Sequence, residues 1–127
     1  AEAFEEHLKQ TKGHVERLEK ALKQLDASTR GEKCKAMEGL IEEGKSTLEL
    51  DADDAVRDAL IIGIAQKVEH YEIAGYGTAR AFAKRLGEDA VAAALKDTLE
   101  EESETDRKLT KLATSTVNPD AEVAVNE

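Results

Sequence analysis

Apolar residues recur at alternating spacings of four and three along most of the chain. This periodicity constrains the fold more than any other feature of the sequence. A stripe with this period lies on one face of an α-helix, whereas a half-buried β-strand needs alternation. Breaks near residues 28–31, 51–54 and 87 divide the pattern into four segments. We therefore predict helices over about residues 2–25, 32–50, 53–86 and 88–115. In the first segment the stripe consists of Phe4, Leu8, Thr11, Val15, Leu18, Leu22 and Leu25.

Residues that favour helix ends stand at these breaks. Residues 28–31 can cap the second helix, the acidic residues 51–54 can cap the third, and Gly87 is a natural stop for it. Asn118 and Pro119 are expected to end the fourth helix. We therefore predict a helical domain over residues 1–116 and a frayed acidic tail over residues 117–127. Short connections imply mostly antiparallel neighbours.

The composition narrows the class of protein and its partners. Aromatic residues make up 3% of the chain, too few for a typical β-sandwich. The net charge of −10 argues against nucleic acid or an anionic membrane as a partner and suits a protein that handles cations. No apolar run approaches the ~18 residues of a membrane span. No signal peptide is visible and the single cysteine cannot form an internal disulfide, so we expect a cytoplasmic protein.

Acidic residues interrupt two of the apolar stripes. Glu72 is predicted near the centre of the third stripe, with Glu69 one turn earlier on its flank. Glu102 and, one position late, Asp106 fall in the fourth stripe. A buried ionised carboxylate costs several kcal/mol, and converging carboxylates repel one another; a multivalent cation removes both problems. The alternative is a solvated acidic face with salt bridges, which suits most other helix acids of the chain.

Histidines supply a second type of candidate ligand. His7 and His14 are seven residues apart, so they share one helix face beside the first stripe. Each is a candidate metal ligand, and the alternative is a histidine at the solvent edge. His70 points away from Glu72 and is interpreted as structural. Carboxylates with imidazole in a helical core are typical ligands of paired iron or manganese. The residues interpreted as packing are Cys34, Met37, Tyr71 and Tyr76.

Four strings resemble the YciE/YciF-type ferritin-like proteins. They lie at residues 7–19, at residues 34–44, at residues 65–78, and at residues 98–102 with Asp106. The resemblance implies a ferritin-like antiparallel four-helix bundle, a carboxylate and histidine site for two metal ions, usually iron, and an association with bacterial and archaeal stress responses. Family members carry a further N-terminal helix with a ligand Glu, and we expect that this chain begins after it.

The leading hypothesis is a ferritin-like metal-binding protein of the stress response that handles iron or peroxide. It would bind two iron ions, with manganese as the second choice. The candidate metal ligands are Glu72, Glu102, Asp106, Glu69, His7 and His14. One alternative is a non-catalytic helical stress or oligomerisation protein with an incomplete metal site, and another is a helical adaptor without metal.

Self-association is a further expectation. Without the preceding helix, an apolar face along the first and third helices would stay exposed, and large exposed apolar patches are rare on monomers. We therefore expect a homo-oligomer, namely a dimer. Whether the protein is an enzyme is left open at this point.

Overall fold

Every regular element in the described part of the chain is helical. The computed structural model describes residues 2–126. Its elements are α1 (Glu2–Gln24), α2 (Lys35–Leu48), α3 (Asp54–Arg85), α4 (Asp89–Leu112), a π-helical turn (Ala113–Val117) and α5 (Asn118–Asn126). The predicted all-α class is confirmed, and the four predicted segments correspond to α1–α4. Within residues 2–126 no helix is long and apolar enough to span a membrane.

Gly87 ends α3 as predicted. Its φ of +77° is the left-handed conformation that glycine adopts without strain. The Gly87 N–H donates to the Lys84 carbonyl at 3.2 Å, and the Glu88 N–H donates to the Ala83 carbonyl at 2.9 Å. These two bonds form a Schellman motif, which satisfies carbonyls that the helix end leaves without partners. Asp26 adopts the same conformation after α1, with φ of 51°.

The starts of α3 and α2 confirm one predicted cap and correct another. Asp53 Oδ1 accepts a hydrogen bond from the Ala55 N–H at 2.8 Å, so an acidic residue caps α3 as predicted. For α2, residues 28–31 lie too far upstream, because a cap must directly precede the first turn. Cys34 takes this position, and its Sγ accepts from the Met37 N–H at 3.5 Å. Cys34 is exposed, so its interpretation as a packing residue was wrong.

The chain stays helical beyond the predicted end of the fourth helix. The π-helical turn follows α4 directly and leads into α5, so the prediction that Asn118 and Pro119 end the helix was wrong. Pro119 lies in the first turn of α5, where the missing N–H is tolerated. The division into a domain and a tail at residues 116 and 117 stays a prediction.

The chain divides into two units of residues. The first unit contains the N-terminal segment through Glu32 together with Glu72–Thr105. The second contains Lys33–Tyr71 together with the C-terminal segment from Asp106. The apolar core of the first unit consists of Ala21, Ala83, Val91, Ala92 and Leu95, with Leu18 and Tyr76 packed against it. That of the second consists of Ile62, Leu109 and Ala113, with Ala65, Leu112 and Val117 packed against it.

Burial along α1 does not follow its apolar stripe. Phe4, Leu8 and Val15 are exposed, whereas His14 and Ala21 are buried. The buried face is therefore displaced by about one residue from the predicted face, because the neighbours of α1 in the first unit include carboxylates. Phe82 and Leu86 of α3 are also exposed, so apolar residues of both helices face solvent, as expected. Self-association through them stays a prediction.

Candidate metal centre

Helix α4 presents buried polar side chains along the predicted stripe. Thr98 and Glu102 are each only 1% exposed, so Glu102 is buried as expected. In the next turn the buried position belongs to Thr105, whereas Asp106 is half-buried. The reason is the one-residue offset of Asp106 from the strict four-three spacing, which turns its side chain by about 100°.

Asp106 contacts two residues of the second unit. Its Oδ1 accepts a hydrogen bond from Gln66 Nε2 at 3.0 Å and lies 3.2 Å from His70 Nε2. Gln66 Nε2 also donates to Thr110 Oγ1 at 2.7 Å. We call Gln66, His70, Asp106 and Thr110 the Asp106 cluster. His70 therefore has a carboxylate partner that the sequence analysis did not anticipate.

The two candidate acids of α3 exchange their predicted roles. Glu69 is 1% exposed, whereas Glu72 is half-buried, so the acid predicted at the flank is the more buried one. The true stripe runs through Ile62, Glu69, Tyr76 and Ala83, at intervals of seven residues. Apolar residues occur all around α3, so their spacing alone did not fix which face would be buried.

His14 lies between two carboxylates of α4. Its Nε2 is 2.6 Å from Glu101 Oε2, and its Nδ1 is 3.0 Å from Glu102 Oε1. Adjacent helix residues point about 100° apart, so Glu101 and Glu102 can reach opposite nitrogens of one ring. The Nε2 contact is a hydrogen bond, whereas the Nδ1 contact lacks hydrogen-bond alignment. His14 Nδ1 and Glu102 Oε1, which are both potential metal ligands, therefore lie close together in a buried place.

Arg17, one turn after His14, holds Glu101 in place. Its Nη1 donates to Glu101 Oε2 and its Nη2 donates to Glu101 Oε1, each at 3.1 Å. Nη1 also donates to Thr98 Oγ1 at 2.7 Å. Such bidentate charge-assisted pairs are among the stronger polar contacts in proteins. The hydrogen bonds from Arg17 hold the pKa of Glu101 below its usual value, so this carboxylate is ionised at neutral pH.

Glu72 and Tyr76 are two ionisable groups near Glu102 whose pKa values are raised. Burial and the neighbouring charge of Glu102 raise the pKa of Glu72 to about 7. Burial, with the charges of Glu72 and Glu102, raises the pKa of Tyr76 to about 12. The Tyr76 ring stands edge-on to His14, with 6.4 Å between ring centroids. Burial is the larger cause of both shifts and disfavours any isolated charge, and the charge of Glu102 further disfavours a second negative charge beside it.

His7 adds a second imidazole to this region. One of its ring nitrogens and a carboxylate oxygen of Glu102 lie within 4.8 Å of each other. Burial and the charge of His14 lower the pKa of His7, which favours the neutral imidazole that binds metals. His7 and His14 thus both lie beside Glu102. We call His7, His14, Glu72, Glu101 and Glu102 the His14 cluster.

The spacing of apolar residues did not indicate that Glu101 and Arg17 belong to the candidate site. Glu101 stands one position off the stripe, within an acidic run where only Glu102 continues the four-three spacing. The available signal was Arg17, which follows His14 by one turn and is therefore placed to reach a carboxylate that binds the same histidine.

The donor atoms of the His14 cluster fit a first-row divalent metal. Imidazole nitrogen with carboxylate oxygen is a ligand set that iron and manganese accept. Adjacent ligands of an octahedral ion, each about 2.1 Å from it, lie about 3 Å apart. The separation of 3.0 Å between His14 Nδ1 and Glu102 Oε1 has this value.

Comparison with known proteins decides the family. The chain matches the family model described as "Domain of unknown function (DUF892)" over residues 1–122. This chain belongs to the DUF892 family. It is 48% identical over 123 residues to protein YciF of Escherichia coli (strain K12), a match that covers 96% of this chain and 74% of YciF.

Two solved structures resemble this DUF892 chain. The crystal structure of the E. coli stress protein YciF matches with a TM-score of 0.87 over 92% of this chain and 74% of that chain. The protein YcfI of Rhodopseudomonas palustris is 41% identical and matches with a TM-score of 0.81, over 86% of this chain and 69% of that one. These matches agree with the ferritin-like helical class predicted from the sequence.

Proposed function

We propose that this DUF892 chain binds iron, with manganese as the second choice, at the His14 cluster and acts in a stress response. His7, His14, Glu72 and Glu102 are the proposed ligands. The stress role rests on similarity to a relative that is described as a stress protein. Glu69 and Asp106 stay predicted ligands. One observation carries the metal proposal, namely that His14 Nδ1 and Glu102 Oε1 lie 3.0 Å apart in a buried place.

Energetics support a cation at this place. Glu102 is 1% exposed, and a buried carboxylate loses most of its hydration. The charge of Glu102 also raises the pKa of Glu72, which means that the two carboxylates repel each other. A divalent ion between the imidazole and the carboxylates would offset both costs.

The chain's own residues define what the site can do. His14 and Glu102 would hold an ion away from bulk water, because both side chains are buried, and Tyr76 keeps its proton because its pKa is about 12. Ferrous iron, when bound, supplies redox chemistry toward oxygen or peroxide. The proposed activity is therefore the sequestration of iron with consumption of an oxidant.

Metal binding tests the proposal directly. The full chain, purified without chelators, is assayed for metal by mass spectrometry and then titrated anaerobically with ferrous ion and with Mn²⁺ by calorimetry. We expect wild type to bind one or two ions and His14→Gln to lose at least tenfold in affinity. His70→Gln is the matched control, because it removes an exposed imidazole that also contacts a carboxylate. Absence of binding by wild type, or equal losses in both variants, would overturn the proposal.

A second candidate function is a non-catalytic stress protein that works by self-association. The exposed apolar residues of α1 and α3 favour it, since Phe4, Leu8, Phe82 and Leu86 all face solvent. Sedimentation equilibrium with and without metal separates the two candidates. A dimer that binds no metal supports the second function, whereas metal binding by a monomer supports the first.

A further inference from the structure

We infer that Glu101, held by Arg17, is a positioning residue that fixes the His14 ring so that Nδ1 is the metal-binding atom. The inference deepens the proposed function and rests on it for the metal. It concerns a residue that would touch no metal itself, because Glu101 faces the opposite nitrogen of the ring.

Hydrogen-bond chemistry assigns the proton of the neutral ring. A neutral imidazole carries one N–H and one lone pair, and an ionised carboxylate can only accept hydrogen bonds. Both oxygens of Glu101 accept from the Arg17 guanidinium, which keeps this carboxylate ionised. The short contact of 2.6 Å to His14 Nε2 therefore requires the proton on Nε2.

The same assignment leaves a lone pair on Nδ1. This atom faces Glu102 Oε1 at 3.0 Å, so in the neutral ring two acceptors point into one place. A cation between these two atoms would attract both of them, so Nδ1 is the ring atom that we assign to the metal. An outer carboxylate that fixes the tautomer of a ligand histidine also makes the ring a stronger donor to metal.

Arg17 makes this arrangement rigid. Its guanidinium binds Glu101 through both nitrogens and also binds Thr98, whose side chain is fully buried. The plane of the Glu101 carboxylate is therefore fixed by α1 and α4 together. A salt bridge with only a structural role would stabilise the fold without setting the ring's tautomer or its affinity for metal.

Nitrogen NMR of the full chain, labelled with ¹⁵N-histidine and freed of metal by chelation, reads the His14 tautomer at mildly alkaline pH. We expect the Nε2–H form in wild type and in Glu100→Leu, and a mixture of tautomers in Glu101→Leu. Glu100→Leu is the matched control, because Glu100 is the adjacent acid on α4 and pairs with Lys96. Retention of the pure Nε2–H form in Glu101→Leu, or an Nδ1–H form in wild type, would overturn the inference.

Affinity for Mn²⁺ gives the second readout. We expect a 10- to 100-fold loss in Glu101→Leu, the range seen when such outer partners are removed. Glu101→Gln should restore the tautomer, because its amide oxygen accepts from Nε2, and should recover part of the affinity. If Glu101→Leu does not fold, Glu101→Gln is compared with Glu100→Gln instead. A lower Mn²⁺ affinity in Glu101→Gln alone supports the inference, and equal affinities in the two variants refute it. If wild type binds no metal, the proposed function fails and the tautomer alone decides the role of Glu101.

Discussion

Among the histidine–carboxylate contacts of residues 2–126, two have similar lengths but differ in their burial and in their neighbours. His14 and Glu102 lie 3.0 Å apart with side chains 3% and 1% exposed, whereas His70 and Asp106 lie 3.2 Å apart with side chains 68% and 21% exposed. In the first pair, protein groups must balance the charge, because water is excluded. In the second, water screens the histidine. Burial thus decides whether such a pair is a candidate site or a surface contact.

The neighbours of the two pairs differ in charge. The Asp106 cluster is completed by an amide and a hydroxyl, since Gln66 donates to both Asp106 and Thr110. These are neutral partners that add no charge. The His14 cluster instead brings further ionisable groups, including Glu72 and Glu101, into a partly dehydrated region. This excess of carboxylates over cationic groups is the reason why we propose the metal ion at this cluster.

Removal of the two imidazoles should affect the two clusters differently. In chelated protein, His14→Leu is expected to lower the free energy of unfolding by about 2 kcal/mol, because it removes the hydrogen bond that His14 Nε2 donates to the ionised Glu101. His70→Leu should change it by less than about 0.5 kcal/mol, as surface substitutions do. Urea unfolding measures both values. Losses of equal size would remove the energetic distinction between the clusters.

Added metal should stabilise the protein through the His14 cluster alone. At a hundredfold excess over its dissociation constant, Mn²⁺ is expected to add roughly 2.7 kcal/mol to the free energy of unfolding of wild type. Glu102→Gln should abolish this gain and stabilise the metal-free protein, because it removes a buried charge. Asp106→Asn should keep the gain. Thermal melts with and without Mn²⁺ provide the measurement, and a lost gain in Asp106→Asn would identify Asp106 as a ligand.

Glu72 should make the stability of the chelated protein depend on pH. Its pKa rises from the ordinary value of 4.5 to about 7 on folding, so folding favours the protonated carboxyl. This contribution is therefore fully favourable below pH 4.5 and is lost as the pH rises through 7. The side chain is only half-buried, and solvent screens it in part. Between pH 4.5 and pH 7 the unfolding free energy of wild type should therefore fall by about 1–2 kcal/mol more than that of Glu72→Gln.

Urea unfolding across this pH range measures the effect of Glu72 as a difference between wild type and Glu72→Gln. The difference is needed because folding also lowers the pKa of His7, so His7 destabilises the folded protein as the pH falls below the ordinary histidine pKa of 6.5. His7 is present in both proteins, so its effect cancels. If the two proteins gave parallel curves of unfolding free energy against pH, burial and the charge of Glu102 would not raise the pKa of Glu72.

The smallest effect is expected for the coupling between His70 and Asp106. A double-mutant cycle with alanine at both positions, at a pH that charges the imidazole, should give about 0.5 kcal/mol or less. The coupling should fall further at high salt, because the screening length shortens from about 10 Å at 0.1 M to about 3 Å at 1 M. A coupling above about 1 kcal/mol that does not fall at high salt would show that the His70–Asp106 pair behaves like the buried His14–Glu102 pair.

Local sequence signals predicted much of the fold. Gly87 marks the end of α3 because only glycine takes a positive φ there without strain. The stripe of α4 was predicted well, since its buried residues keep the four-three spacing up to Leu109. On α1 the apolar residues Phe4 and Val15 are exposed instead. Periodicity shows that a helix has an apolar face, but the groups on neighbouring helices decide which face is buried.

The candidate site was predictable only in part for the same reason. Glu102 interrupts an apolar stripe, and this signal depends on one helix alone. The contact of Glu101 with His14 depends on how α1 packs against α4, which spacing along either helix does not encode. Asp106 was assigned by a spacing that was one residue off, and that single residue turns its carboxylate toward Gln66 and His70.

Helix α1 is anchored by different forces at its two ends. Near its C-terminal end, Ala21 and Leu18 pack into the apolar core of the first unit. Between His7 and Arg17 its contacts in the first unit include ionisable groups, whose strength changes with protonation and with any bound ion. We therefore expect the turns before His14 to respond to ionic conditions more than the last turns do. Amide hydrogen exchange in the N-terminal half of α1 would then follow ionic conditions, and the order of this segment would report the state of the site.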